Sequence, residues 1–390
     1  MARKRVHVIT KYFYPVAAGI ETNILETYSV LARKWDITVH TTKDEYVSKN
    51  SLADTEELRG LTIKRYPFHS EFLGFKPDID YKQADIVALH NFNIFFLWFF
   101  LRTWWHRLTR VVHYKLIVTP HGGYNPEWRM FKQPLRFIKA AYHYTLGKVF
   151  LNHIVDRIRC VSEWEKLEMV KKGISAKKIF VISNGLENEA FVDVDKHASN
   201  KIKKYVQGLG EYIIQVGRIY PIKNYETVIR ALPQVPGIKY VIVGQVEKSK
   251  QYRDYQASLI QLASDLGVAD RLVFAGVLRG VDKYYLMKHA AMMVHMAIWE
   301  SYCNVVHEGL SQGLICIVAD NTALPLLVKE GINGYTVGTY DHKKLAKRIE
   351  YVLKNKSSAK TRAMKKNNRN TGSDDSWHHV ANKMFALYNT

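Results

Sequence analysis

Cysteine is scarce in this chain: three residues in 390, Cys160, Cys303 and Cys316. They show neither metal-ligand spacing nor an even pairing set, which argues against a disulfide scaffold or a zinc module and for a reducing compartment, the cytosol by default. Long apolar runs are missing too. A membrane-spanning helix needs roughly 18 uninterrupted apolar residues, and the nearest approach, Ile94 to Leu101, is about half that length. The N-terminus begins with basic residues, but its apolar run from Val6 to Ile9 is too short for a secretory leader and reads as a first strand. Acidic residues are under-represented, with 36 Asp and Glu against 57 Lys and Arg, for a net charge of +21. Such an excess attracts polyanions, whether nucleic acid, anionic lipid or phosphorylated substrates, and does not choose among them. Low-complexity tracts and short repeats are absent. So is the Gly-X-Gly-X-X-Gly that a dinucleotide-dependent oxidoreductase would place after its first strand, where only Gly19 stands.

What is present suits two domains of ordinary size, each with its own core. Apolar strand-like runs alternate with helical patterns: Val6 to Thr10, Ile37 to His40, Leu61 to Tyr66, Ile86 to Leu89, Lys115 to Pro120, Ile154 to Val161 and Lys178 to Ile182. Strands separated by helices predict a parallel sheet with right-handed crossovers. Leu186 to Gly210 is polar and weakly patterned and reads as the domain boundary. The alternation then repeats through Tyr212 to Val216, Lys239 to Gly244, Leu272 to Gly276 and Met292 to His295. The Lys- and Asn-rich stretch from Asn355 to Ser373 reads as a basic, solvated segment, and Trp377 to Tyr388 as a last amphipathic helix. Ligands on such sheets bind beyond the strand C-termini, here in a cleft between the two domains.

The segment from Phe92 to Arg107 is unusually aromatic, and its apolar residues surround the helix instead of forming one stripe. The first reading of that pattern is a buried helix. The second is a membrane-surface helix, because Trp and Phe followed by Arg102, Arg107 and Arg110 are its ingredients.

The chemistry concentrates in the second half. Gly217-Arg218 follows a strand, with Lys223 five residues beyond, and a guanidinium fork beside a compact ammonium suits a diphosphate. From Trp299 to Gly313 the chain places Glu300 ahead of a helix and Glu308 within it. Ser301 and Asn304 are the expected helix starters and Gly313 the stop. Residues eight apart on a helix are roughly 12 Å apart along its axis. That spacing suits the two ends of one extended ligand better than a paired acid and base. The intervening helix N-terminus favours a phosphate.

Taken together and in order, these residues resemble the donor-binding half of retaining glycosyltransferases of family 4, which have the GT-B fold. The resemblance extends to Tyr14-Pro15 with Ala18-Gly19-Ile20-Glu21, to Val118-Thr119-Pro120-His121-Gly122, to Asp156 to Ser162, to Val181 to Gly185, to Gly331 to Gly334 and to the Trp377 helix, and so to nearly the whole chain. It departs from the pattern at Ala18-Gly19, where two glycines are common, and at Gly244-Gln245-Val246, which lacks a second glycine.

The resemblance implies an α/β fold of two Rossmann-like, doubly wound parallel-sheet domains facing a cleft. An acceptor-binding domain would span 1–190 and a nucleotide-sugar domain 205–372, with a helix in 373–390 crossing back to the first domain. Arg218 and Lys223 would hold the donor diphosphate, Glu300 the sugar hydroxyls and Glu308 the ribose. Backbone amides from Ser301 through Tyr302, Cys303 and Asn304 to Val305 would complete the phosphate site, next to Gly217. His121 would lie at the reacting face, and Gly19 would let the first loop approach the phosphates. Transfer would be retaining, with no metal and no cofactor beyond the nucleotide-sugar donor, and no Asp-X-Asp pair is placed to hold a metal. The basic aromatic first domain suggests a glycan or lipid-linked acceptor at an anionic membrane surface, hence a cytoplasmic protein, peripheral on the inner face of the membrane, in surface polysaccharide or glycolipid assembly. Charge alone would also suit a non-enzymatic nucleic-acid binder, which stands as the alternative reading together with a dinucleotide-dependent oxidoreductase.

Overall fold

The computed structural model describes residues 3–16, 18–43, 52–70, 72–246, 250–369 and 375–390. Ala17 of the first loop and the end of the basic segment, 370–373, lie outside the described residues. The chain divides into two compact units, one of Met1–Gly185 with Trp377–Thr390 and one of Leu186–Ser376.

The first unit holds an eight-stranded sheet: β1 (Arg5–Ile9), β2 (Asp36–Thr42), β3 (Thr55–Leu58), β4 (Leu61–Tyr66), β5 (Ile86–His90), β6 (Lys115–Thr119), β7 (Arg157–Cys160) and β8 (Ile179–Val181). Their spatial order is β3-β4-β2-β1-β5-β6-β7-β8. Every pairing is parallel except that of β3 with β4. The central strands are mostly apolar because helices cover both faces, and Ile86–His90 is buried at every position, its closing histidine included.

The helix Trp377–Asn389 completes this unit. It buries Trp377, Val380, Ala381, Met384, Leu387 and Tyr388, the spacing of a single helical stripe. Trp35 stacks on Phe385 at 4.9 Å and on Tyr388 at 5.9 Å, beside the helix Gly19–Leu31.

The second unit holds a six-stranded, wholly parallel sheet of β9 (Tyr212–Val216), β10 (Lys239–Val243), β11 (Leu272–Gly276), β12 (Met292–His295), β13 (Cys316–Ala319) and β14 (Gly334–Val337). Its order is β11-β10-β9-β12-β13-β14. Strand order therefore reverses between β1 and β5 in one sheet and between β9 and β12 in the other. At such a reversal the loops leaving adjacent strands turn to opposite faces and open a crevice at the strand C-termini.

Three expectations need correction. Leu186 to Gly210 is not merely a polar connector: Asn200–Leu209 is a helix capped by Ser199, whose hydroxyl accepts from Ile202 N–H at 3.2 Å, with Ile202 and Leu209 buried. Two apolar residues among lysines are enough once they share a face. The basic stretch after Asn355 folds as the helix Ala359–Arg369, with Thr361, Met364 and Asn368 buried along one stripe. Asn368 donates to the carbonyls of Leu314 and Asn333 at 2.8 and 2.9 Å, tying that helix to the sheet.

The aromatic segment is only half buried. In the helix Leu97–Thr109, Phe99, Phe100 and Thr103 face the core. Leu101, Trp104, Trp105 and Leu108, at positions i, i+3, i+4 and i+7, are 44, 51, 61 and 64 % exposed. Wrap-around apolarity here means two apolar faces, one of them turned outward.

Candidate active site

The carboxylate that the sequence places ahead of a helix sits at the reversal of the second sheet. β9 ends at Val216 and leads into Gly217-Arg218, while β12 ends at His295 and leads into Glu300. The first of these loops is pinned along its length. Gly217 N–H donates to Val243 O at 2.9 Å, the Tyr225 hydroxyl donates to Gly217 O at 2.9 Å, and Gln215 Nε2 donates to Lys223 O at 2.9 Å. Asn224, in the left-handed region at φ 51°, donates to Met296 O at 2.9 Å, and Ile298 N–H donates to Ile222 O at 2.8 Å. The two loops are thereby joined. A Cβ on Gly244 would stand 1.8 Å from the Gly217 carbonyl oxygen, so the glycine after β10 is required for the Gly217 loop to pack where it does.

This pinning brings Lys223 Nζ to 2.5 Å from Glu300 Oε1, with His295 Nε2 at 2.9 Å from the same oxygen. The side chains of Lys223 and Glu300 are 19 and 13 % exposed, and His295 is fully buried. Burial alone would raise the Glu300 carboxyl, but the Lys223 ammonium and the His295 hydrogen bond outweigh it and hold the group at about 2. Burial lowers His295, against the pull of Glu300. The family resemblance implies phosphate for Lys223 and sugar for Glu300. The structure brings them together as one charged unit. His295 was missed, since a lone histidine ending an apolar strand carries no signal until its partner is known.

Cys303 Sγ stands with the donor atoms of His295 and Glu300 in a cluster within 4.8 Å, a geometry that cysteine spacing along the sequence could not show. Glu300 Oε1 is already engaged by two hydrogen-bond donors there. Burial pushes the Cys303 thiol well up, and the neighbouring Glu300 charge adds to that.

The helix after Glu300 is Asn304–Ser311, and its cap is Cys303 at φ 83°, without a side-chain capping bond. The expected start at Ser301 is thus displaced, because a residue in the left-handed region turns the chain immediately before Asn304. Only part of the span from Glu300 to Glu308 is helical, so the 12 Å estimate does not apply to it. The first-turn amides at Asn304 and Val305 point along the axis at this end, as in any helix N-terminus. Gly313, at φ 77°, follows the helix as expected, with Leu314 N–H donating back to Gly309 O at 3.1 Å.

Glu308 lies inside the helix, and Lys283 Nζ is 2.9 Å from its Oε2 and from Glu187 Oε2. Burial raises the Glu308 carboxyl and Lys283 opposes that shift. Lys283, on the helix Gly280–Lys288, is a second residue that motif reading passed over. Arg218 is exposed.

In the first unit, His121 follows β6 in the left-handed region at φ 52°. Its Nε2 is 2.9 Å from Nδ1 of the buried His90, which ends β5. Burial pushes both imidazoles well below their usual range, His121 being lowered further by Arg159. Gly19 is the first residue of the helix Gly19–Leu31, not a loop residue, and its φ is not among the positive values. A cavity of about 230 Å³ opens at the reversal of this sheet, lined among others by Thr10, Lys11, Glu21, Asn91 and Lys139.

Two family models match in succession. "Glycosyltransferase Family 4" covers residues 17–189 and "Glycosyl transferases group 1" covers residues 199–371. The chain belongs to glycosyltransferase family 4. Among curated proteins it is 24% identical over 248 residues to a D-inositol 3-phosphate glycosyltransferase of Mycobacterium tuberculosis, an alignment covering 63% of this chain and 50% of that protein. The match thus spans about half the length of the curated relatives. Among solved structures, sucrose-phosphate synthase from Thermosynechococcus elongatus superposes with a TM-score of 0.77 at 17% identity, covering 99% of this chain and 98% of that one. Anabaena HepE in complex with UDP and glucose does so at 0.76 and 17% identity, covering 99 and 100%. This family member shares the GT-B fold of two parallel-sheet domains with them.

Proposed function

We propose that the chain transfers a sugar from a nucleoside-diphosphate donor to a glycan or lipid-linked acceptor, with retention of configuration and without a metal. The observation that carries this reading is the Lys223–Glu300–His295 cluster at the strand reversal of the second sheet. Cleaving the sugar–diphosphate bond builds negative charge on the leaving group. Arg218, Lys223 and the Asn304 helix N-terminus would stabilise that charge more in the transition state than in the ground state, which lowers the barrier. Glu300 would orient the sugar hydroxyls, and Glu308, anchored by Lys283, the ribose. With no enzymic nucleophile in the motif, attack would come from the face of the departing phosphate, which accepts the acceptor's proton. His121 would stand at the reacting face.

A thermal-shift screen across UDP-, GDP- and ADP-sugars tests this, since only a ligand that binds the native state raises the melting point. HepE was also solved with UDP-glucose, which makes UDP-sugars the first choice. A rise of several degrees with one nucleotide class is the expected result. No shift with any of them, together with steeply salt-dependent binding of DNA or RNA, would replace the reading with a nucleic-acid binder.

For the acceptor side the reading is a membrane-attached substrate, in surface polysaccharide or glycolipid assembly. Its support is the outward row Leu101, Trp104, Trp105 and Leu108, with Val111 beyond it and Arg102 and Arg110 exposed alongside. Arg107, expected in that basic set, instead pairs with Asp156. Apolar side chains flanked by arginine are what an anionic bilayer surface retains. No helix among the described residues is long and apolar enough to cross a membrane. The chain should co-sediment with vesicles containing anionic lipid and much less with neutral ones, and Trp104→Ser with Trp105→Ser should weaken that binding about tenfold. Binding indifferent to lipid charge or to these tryptophans would remove the membrane from the reading.

A further inference from the structure

Four neutral groups of the first unit form an unbroken hydrogen-bonded line from the C-terminal helix to His121. The Tyr388 hydroxyl bonds to the Tyr28 hydroxyl, Tyr28 Oη is 2.9 Å from His90 Nε2, and His90 Nδ1 is 2.9 Å from His121 Nε2. Tyr388, Tyr28 and His90 are fully buried. Burial keeps both phenols protonated and both imidazoles unprotonated, so each of the four groups brings one proton.

Four protons and three links allow two arrangements, all pointing one way or all the other. Among the described residues Tyr388 has one hydrogen-bond partner, Tyr28, and no acceptor at its far side. The guanidinium of Arg159 is also fully buried, donates to Ile182 O, Asn23 Oδ1 and Asn184 Oδ1, and cannot accept. Its charge acts on all four groups, so the choice between the two arrangements rests on the Tyr388 hydroxyl, which among the described residues has Tyr28 alone to donate to. Tyr388 then donates to Tyr28, Tyr28 to His90 Nε2, and His90 Nδ1–H to His121 Nε2. That leaves the His121 proton on Nδ1, which has no partner among the described residues.

We propose that Tyr388, Tyr28 and His90 are positioning residues that hold His121 as its Nδ1–H tautomer, a hydrogen-bond donor available to an oxygen of the reacting substrate. The C-terminal helix is thereby a working part of the first unit's site as well as a packing element. The proposal rests on the reading of His121 as a reacting-face residue. It extends that reading by supplying the groups that set its proton.

The test pairs Tyr28→Phe and Tyr388→Phe with His121→Ala, each melted to verify folding, and reads kcat, donor KM and the histidine ¹⁵N spectrum. Tyr28→Phe cuts the line next to His90. It is expected to lower kcat roughly tenfold to a hundredfold with donor KM unchanged, as when a catalytic imidazole loses the partner that sets its tautomer. The His121 signal should move from the Nδ1–H form to a tautomer mixture. Tyr388→Phe leaves Tyr28 able to donate and should give a smaller loss of the same kind. If His121→Ala leaves transfer intact, the underlying reading of the site is wrong. If His121→Ala abolishes transfer while Tyr28→Phe, folded, keeps both rate and tautomer, the relay is wrong and His121 stands alone.

Discussion

Lys223→Ala is expected to lower kcat/KM for the nucleotide sugar by roughly two to three orders of magnitude, the usual loss when one donor to a developing oxyanion is removed. It should do more than remove a phosphate contact. Without the ammonium, the buried Glu300 carboxylate keeps His295 as its partner among the described residues, and breaking a buried pair by removing one partner costs about 3–5 kcal/mol. The variant should therefore melt earlier and lose its donor-induced thermal shift.

Glu300→Gln keeps the volume and an acceptor for His295 but loses the charge that holds Lys223. Its activity loss should be of similar size, with a smaller stability change. The two effects should not add. In a double-mutant cycle, Lys223→Ala with Glu300→Gln should show a coupling of about 1–3 kcal/mol, because each single change already disrupts the same unit. Simple additivity, or full activity in either single variant, would refute the assignment. Glu300 sits at about 2, so its ionised form and the stability it lends are lost only as pH falls from about 4.5 through 2. The acid limb of any pH–rate profile measured above pH 5 should accordingly be insensitive to this carboxylate.

How much of this was legible in the sequence varies with the distance over which a residue acts. Strands such as Ile86–His90 and Tyr212–Val216 announce themselves, because a strand buried on both faces is apolar along most of its length, His90 and Gln215 being the polar exceptions. Ser162 was readable as a cap, since capping is a contact three residues long, and its hydroxyl does accept from Glu165 N–H at 3.1 Å. Glu300 and Lys223 were named, yet their meeting across 77 positions was not, nor was His295 beside them. Tyr28 is a core residue, but its hydroxyl has a partner 62 residues away in sequence. Periodicity reports which face is buried and is silent on what a polar atom on that face will find.

The aromatic segment failed for a related reason: hydropathy cannot separate one buried face from two apolar faces. Cys303 as a helix cap was hidden as well, because left-handed backbone at a non-glycine residue contradicts local preference and is held there by the surroundings.

Glu165 carries the second large expectation, a stability that falls as pH rises. Burial lifts its carboxyl from 4.5 to about 7, against backbone hydrogen bonds from Val161 and Gly122 and the charge of Arg159. Val161 N–H donates to Oε2 at 2.8 Å, and Gly122 N–H, next to His121, donates to Oε1. Because the folded value is raised, the native state binds a proton that the unfolded chain has already released between about pH 4.5 and 7. Stability from this group is then fully present below that window and lost across it, by about 3 kcal/mol at 1.36 kcal/mol per unit. Glu165→Gln carries no titrating proton there. Chemical denaturation of both proteins from pH 4.5 to 8 should show the wild type losing about that much more than the variant, with the difference concentrated between pH 5 and 7. A constant difference across the range would mean that the two amides hold Glu165 ionised throughout. The same carboxylate secures the turn that sets His121 in its left-handed conformation. Glu165→Gln should therefore disturb transfer at pH 8, where the wild type presents an anion to both amides, more than at pH 5.5, where it too is largely neutral.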